Sequence, residues 1–248
     1  MSLKVVIPAR FASSRLPGKP LADIAGQPML VRVLARASQI SGAEVIAAVD
    51  DQRVCEVVTA AGYRAVMTRE DHVSGSDRVM EVVDLQGWED STIVVNVQGD
   101  EPLFPTKVVE DLVEALEHTS EIGLATLKES LLDRSDLSNP NVVKVVTDDT
   151  NRALYFSRAM IPFDRDADQG LSDCFRHIGM YAFRVGALRR FTALPESSLE
   201  RRERLEQLRW LQAGEPILVI PSSIAVPAGV DTAEDLARVN AIYAAKDG

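Results

Sequence analysis

Apolar residues recur along this chain in two rhythms, and the change from one to the other marks its architecture. In the first half, short aliphatic and β-branched runs alternate with stretches whose apolar positions fall three and four apart. Residues 3–7 read as a strand. Pro28 stands where a first helical turn begins, ahead of Met29, Leu30, Val33, Leu34 and Ala37 at helical spacing. Residues 44–49 form a second strand, and Asp51 is placed to cap a helix over 54–61 that Gly62 ends. Residues 64–67 are a short third strand, and Ser76 is expected to cap the helix that carries Val79, Val82 and Val83. The run 92–97 is nearly all β-branched, as in a strand buried on both faces. A helix over 106–118 and a strand over 122–127 follow. This alternation predicts parallel βαβ units, and so an α/β fold with a doubly wound, mostly parallel sheet.

From Asn139 the helical rhythm lapses. Residues 142–146, 153–156 and 176–183 look like strands without helices between them, broken by the polar segment 164–173. An antiparallel elaboration of the second half is the simplest account, as an arm at about 139–185 able to pair with a second subunit. Helix then returns over 199–213, strongly charged and amphipathic, ending at Gly214. Residues 217–220 are a late strand and 232–245 a last helix, with Thr232 and Asp235 at capping-box spacing. Without repeats, low-complexity tracts or a linker, 1–248 reads as a single domain with that arm.

Composition narrows the class. Of 248 residues, 46% are hydrophobic and 26% charged, as in ordinary soluble globular proteins. The longest uncharged apolar runs, 93–97 and 217–220, fall far short of the ~20 residues of a membrane span. No secretory leader pattern is seen, since Pro8 and Arg10 follow the first apolar run at once, and a cytoplasmic location with no membrane partner is expected. Cys55 and Cys174 have no partner at disulfide or metal-ligand spacing. A net charge of -10 and a pI near 4.9 argue against a nucleic-acid partner, so any nucleotide ligand is a small one.

Against that acidic whole, residues 1–20 carry Lys4, Arg10, Arg15 and Lys19 and no acidic side chain. The stretch V-V-I-P-A-R-F-A-S-S-R-L-P-G-K-P-L, residues 5–21, leaves its strand at Pro8. It then runs through Ala9, Ala12, Ser13 and Ser14, small residues whose backbone N–H groups can approach phosphate oxygens. Pro17 and Pro20 stiffen the loop around Gly18 and Lys19. It is no P-loop, because Ser13 and Pro20 stand where a glycine and a Ser or Thr are needed, and the chain has no G-x-G.

Doubly wound sheets bind ligands beyond the carboxyl ends of their strands, which selects the loops after Ile7, after 92–97 and around 71–77. In V-N-V-Q-G-D-E-P, Asp100 follows a buried strand and offers a ligand for Mg²⁺, although Gly-Asp and Glu-Pro are also turn dipeptides. Asp231 in G-V-D-T offers a second carboxylate, or a helix cap. A cation shared by the two aspartates would neutralise charge on a transferred phosphoryl group. His177, Gly179 and Tyr181 share one face of a strand, and Arg158 and Arg165 flank A-M-I-P. An arginine fork suits a carboxylate. Glu206 and Gln207 lie on the charged helix, where a solvated face is the default.

These motifs together resemble the sugar nucleotidyltransferases, and in this form the CMP-Kdo synthetases (3-deoxy-manno-octulosonate cytidylyltransferases). The resemblance runs nearly the length of the chain through I-P-A-R-x-A-S-S-R-L-P-G-K-P-L, M-T-R-x-D-H-x-S-G-S-D-R, V-N-V-Q-G-D-E-P, N-P-N-x-V-K-V-V, A-L-Y-F-S-R-A-x-I-P, R-H-I-G-M-Y, L-E-Q-L-R and G-V-D-T. It implies that Arg10, Ser13, Ser14, Arg15 and Lys19 hold the CTP triphosphate, and that Ala9, Ser74 and Gln98 lie near the cytosine. Asp100 and Asp231 match magnesium-binding aspartates, and with Arg15 and Lys19 make the catalytic set. Arg158, Arg165, His177, Tyr181, Glu206 and Gln207 match a sugar-acid pocket. The implied reaction joins CTP and Kdo into CMP-Kdo and pyrophosphate for lipopolysaccharide, in a homodimer. Met160, Phe163, Ala233, Arg201 and Arg202 depart from the family pattern and leave fine sugar specificity, such as an 8-amino acceptor, open. Other readings are a nucleotidyltransferase for another sugar, a glycosyltransferase using Asp164-Arg165-Asp166, and a nucleotide-binding regulator.

Overall fold

The computed structural model describes residues 3–12, 16–166 and 170–245. Its first half repeats strand and helix: β1 (Leu3–Ala9), a 3-10 turn (Lys19–Leu21), the small pair β2 (Asp23–Ile24) and β3 (Gln27–Pro28), α1 (Met29–Ala37), β4 (Ala43–Val49), α2 (Gln52–Ala60), β5 (Ala65–Met67), α3 (Gly75–Gln86), β6 (Ile93–Asn96), α4 (Thr106–Glu117) and β7 (Leu124–Ser130). The second half holds α5 (Arg134–Ser138), β8 (Lys144–Thr147), β9 (Ala153–Ser157), β10 (Phe175–Arg184), α6 (Val185–Ala193), α7 (Ser198–Glu203), α8 (Gln207–Gln212), β11 (Leu218–Pro221) and α9 (Ala233–Ala244).

The main sheet runs β11-β7-β10-β6-β1-β4-β5. β1 pairs in parallel with β4 and β6, β4 with β5, and β7 with β11, while β10 runs antiparallel to both β6 and β7. Alternate residues of the central strands feed two cores. Val5, Ile7 and Val95 meet Leu30, Leu34, Val58, Val109 and Leu112 on one face. Val6 and Val94 meet Val79, Val83, Leu188, Phe191, Leu208 and Trp210 on the other. Burial on both faces explains why these strands read as nearly unbroken apolar runs. Among the described residues no helix is long and apolar enough to cross a membrane.

Three expectations change. The stretch 139–185 is not one arm: β8 and β9 form an antiparallel pair beside the start of β10, but β10 itself lies in the middle of the main sheet, between β6 and β7. Residues 199–213 are two short helices rather than one. Arg204, at φ 54, breaks them, its N–H bonding the Glu200 carbonyl at 2.7 Å. The charges there do not all face water, because Arg209 donates to both Glu200 carboxylate oxygens at 2.8 and 2.6 Å in a buried pair. Finally, α3 is capped by Ser74, whose side chain accepts from the Asp77 N–H while Asp77 returns the bond, and Ser76 lies buried in the first turn.

Candidate active site

The carboxyl ends of β1 and β6 and the loop into α3 open onto a cleft of about 350 Å³. Its walls are Pro8, Ala9 and Arg10 after β1, Lys19 and Pro20 on the 3-10 turn, His72, Val73, Ser74, Gly75 and Arg78 at the start of α3, Gln98, Gly99 and Asp100 after β6, and Asp231 before α9. All three loops selected by the strand-end argument contribute.

Lys19 sits between the two aspartates. Its Nζ donates to Asp100 Oδ2 at 2.5 Å and to Asp231 Oδ1 at 2.9 Å. Burial alone would pull the ammonium's pKa down, but the Asp100 charge and the hydrogen bonds to both carboxylates outweigh it and hold the group above its ordinary value. Backbone packing brings the aspartates together: the Val230 N–H bonds the Asp100 carbonyl at 2.8 Å, and a Cβ on Gly229 would stand 3.1 Å from that oxygen. Next door, Glu101 Oε2 is buried without a hydrogen-bond partner among the described residues, and burial, then the Asp100 charge, pushes its carboxyl up to about 8.

A carboxylate pair that already gathers one cation is a fitting donor set for Mg²⁺, which takes one or two protein carboxylates and completes its shell with phosphate and water. Among the described residues no group of three or more His, Cys, Asp or Glu side chains gathers as a metal site.

The first loop is anchored by a residue that sequence reasoning passed over. Asp50, just beyond β4, accepts the Phe11 N–H at 2.8 Å with one oxygen and Arg78 Nη2 at 2.9 Å with the other. Arg78 also donates to Thr68 Oγ1 at 2.5 Å and the Arg69 carbonyl at 3.2 Å, so its charge is spent inside the scaffold. Arg10 is exposed at the rim. Ser13, Ser14 and Arg15 lie outside the described residues.

Beside the cleft lies a second polar cluster. Glu206, in the break between α7 and α8, accepts from Ser76 Oγ at 2.8 Å; burial raises its pKa, and hydrogen bonds from Ser76 and Ser74 oppose this only in part. Tyr181 on β10 is held well above the usual phenol value by burial and then by the Glu206 charge. The His177 ring centroid is 5.5 Å from that of Tyr181, and burial lowers its pKa to about 3. Asn96 Nδ2 and Oδ1 and Gln207 Nε2 are buried and meet no hydrogen-bond partner among the described residues. Such orphaned polar atoms are costly unless a ligand or water meets them. Gln98 Nε2 joins the two regions through a 3.4 Å bond to the Gly179 carbonyl.

The two arginines expected here are placed otherwise. Arg158 spends its guanidinium on backbone carbonyls, Nε on Glu203 at 2.7 Å, Nη1 on Pro140 at 2.8 Å and Nη2 on Arg204 at 3.4 Å. It braces the α7–α8 break. Arg165 is exposed on 161–166 and makes no hydrogen bond to the cluster. Of the residues missed, Asn96 had a readable signal, a lone amide in an otherwise β-branched strand. Ser76 and Asp50 had none beyond their place near strand and helix ends.

The cytidylyltransferase family model matches residues 4–217 of this mixed α/β chain, and the chain belongs to that family of nucleotidyltransferases. Within it the chain is 51% identical over 251 residues to the 3-deoxy-manno-octulosonate cytidylyltransferase of Vibrio vulnificus (strain YJ016), covering 99% of this chain and 100% of the relative. It is 49% identical over 247 residues to the protein of the same name from Hahella chejuensis (strain KCTC 2396), covering 97% of each. A solved structure of CMP:2-keto-3-deoxy-manno-octonic acid synthetase complexed with CTP matches at a TM-score of 0.92 and 42% identity, covering 99% of this chain and 100% of that one.

Proposed function

We propose that this chain transfers CMP from CTP to the anomeric hydroxyl of Kdo, giving CMP-Kdo and pyrophosphate for lipopolysaccharide synthesis. The hydroxyl oxygen forms a bond to the α-phosphorus, the bond from that phosphorus to the pyrophosphate oxygen breaks, and the hydroxyl proton is lost to solvent. The observation that carries the reading is the meeting of Lys19, Asp100 and Asp231, from three remote stretches of chain, at a strand-end cleft in a chain with full-length cytidylyltransferase relatives.

Asp100 and Asp231 would hold Mg²⁺, which when bound neutralises charge on phosphate oxygens. Lys19 and Arg10, with Ser13, Ser14 and Arg15, serve the triphosphate and the departing pyrophosphate. Ala9, Ser74 and Gln98 border the base. His177, Tyr181, Glu206 and Gln207 face the sugar acid, with Arg165 available to its carboxylate and Arg158 bracing the segment beneath. Positioning and charge stabilisation, rather than a protein nucleophile, supply the rate. Exposed Leu154 on β9, with Met160 and Phe163 just after it, support a homodimer through the β8–β9 pair and the segment that follows it, and a reaction that consumes CTP belongs in the cytoplasm.

Phosphorus NMR of the reaction mixture tests the assignment. With CTP, Mg²⁺ and Kdo, one new phosphodiester signal and one pyrophosphate signal are expected, and neither with UTP or ATP. A diester formed only with another nucleotide or acceptor overturns the substrate pair.

A further inference from the structure

β10 is irregular where it passes β7. Ile178 stands opposite Leu127 and Tyr181 opposite Thr126, so Gly179 and Met180 are extra residues on β10. A bulge of this kind redirects backbone groups that the ladder would otherwise consume. Two carbonyls from this stretch converge on one hydroxyl, with Thr126 Oγ1 lying 3.0 Å from Ile178 O and 2.8 Å from Met180 O. The third neighbour of the hydroxyl is His177 Nε2, at 2.9 Å.

Thr126 is fully buried, so water does not compete for its hydroxyl. That hydroxyl has one proton and two lone pairs, and carbonyls can only accept. With two carbonyls facing it, the proton goes to one of them, and the oxygen turns a lone pair to the remaining neighbour. His177 Nε2 must then carry a hydrogen. Burial keeps the ring uncharged, which leaves Nδ1 as an unprotonated acceptor. No described residue hydrogen-bonds Nδ1, and the ring is held edge-on by Phe156 at 4.8 Å.

We propose that Thr126 is a positioning residue that locks His177 in the Nε2–H tautomer, so that His177 Nδ1 accepts a hydrogen bond from a hydroxyl of the bound sugar acid. The inference rests on the reading that the face of β10 bearing His177 and Tyr181 receives the acceptor. On this account His177 selects a hydroxyl donor and takes no part in holding the acid's carboxylate. The same bulge presents the Gly179 carbonyl to Gln98, so one irregularity sets both the His177 tautomer and a residue of the nucleotide cleft.

The chain has three histidines, so nitrogen-15 histidine labelling gives a spectrum simple enough to assign. Wild type and Thr126→Ser should show His177 as neutral Nε2–H. Thr126→Val, nearly the same shape without the hydroxyl, should lose that tautomer and raise KM for Kdo about tenfold, the effect of losing one aligned hydrogen bond, with KM for CTP unchanged. A Thr126→Val protein that keeps the Nε2–H tautomer, or loses it with KM for Kdo unchanged, overturns the proposal. Should Thr126→Val not fold, the wild-type spectrum decides, since an Nδ1–H ring would overturn it. The spectra need no turnover, so failure of the tautomer lock is distinguishable from failure of Kdo as substrate.

Discussion

Ser76 and Glu206, 130 residues apart, share a 2.8 Å hydrogen bond that fastens the first turn of α3 to the break between α7 and α8. This bond ties the wall of the cleft to the neighbouring polar cluster, and it sits where burial already strains the carboxylate. Ser76→Ala removes a donor from a partly buried carboxylate, and a cost of roughly 1–3 kcal/mol is expected in urea unfolding, with Ser76→Thr restoring most of it. Equal midpoints for wild type and Ser76→Ala would show that the bond contributes nothing.

Two glycines should respond in opposite ways. A Cβ on Gly99 would lie 2.9 Å from the Pro8 carbonyl and 3.2 Å from Ala9 Cβ, so Gly99→Ala must push the ends of β1 and β6 apart, at a cost of about 1–3 kcal/mol. A Cβ on Gly179 meets nothing within 4 Å. Gly179→Ala should therefore melt like wild type while raising KM for Kdo, because the methyl group adds bulk to the open space beside the strand on which the acceptor is proposed to sit. Thermal melts and paired KM measurements check both; a Gly179→Ala protein with unchanged KM would remove that face from the acceptor site.

Lys19→Met leaves Asp100 and Asp231 facing one another without their shared cation. Turnover should fall by about 10²–10³, the usual loss on removing one group that stabilises developing charge, while circular dichroism stays that of wild type. Near-normal turnover would mean that Lys19 only neutralises the aspartates in the resting protein.

His177 gives a pH signature. Its pKa is about 3 folded against 6.5 as a free group, so the unfolded chain binds its proton first as pH falls. The stability tied to the neutral ring is therefore present above about pH 6.5 and is lost progressively toward pH 3. His177→Gln has no such term, so the gap in Tm between wild type and this variant should narrow between pH 7 and pH 5. A gap that stays constant or widens would contradict a buried neutral ring.

Much of this is legible in the amino-acid sequence. The run 92–97 announced a strand buried on both faces, and Thr232 and Asp235 do form the capping box their spacing suggested. The α3 cap was readable too: Ser74 has Asp77 three residues on, whereas Ser76 has Val79, which returns no bond. Other features are set by distant contacts and leave no local trace. Nothing in 176–183 says that this strand inserts between β6 and β7, since strand order is decided by which edges remain open once the rest has folded. The charges of 199–213 look solvated until Glu200 and Arg209 are seen to pair in the interior, freeing Glu206 to turn toward Ser76. Arg158 looked like an anion ligand because sequence shows a cation and not the three carbonyls that occupy it.

Pyrophosphate release by wild type and by Asp100→Asn, with CTP and Mg²⁺ and with Kdo present or omitted, tests the central claim most directly. Release by the wild type only when both substrates are present, and loss of that release in a folded Asp100→Asn protein, is the predicted result. Release without Kdo, or an Asp100→Asn variant as fast as wild type, would contradict the account of Asp100 at the centre of a cytidylyl transfer.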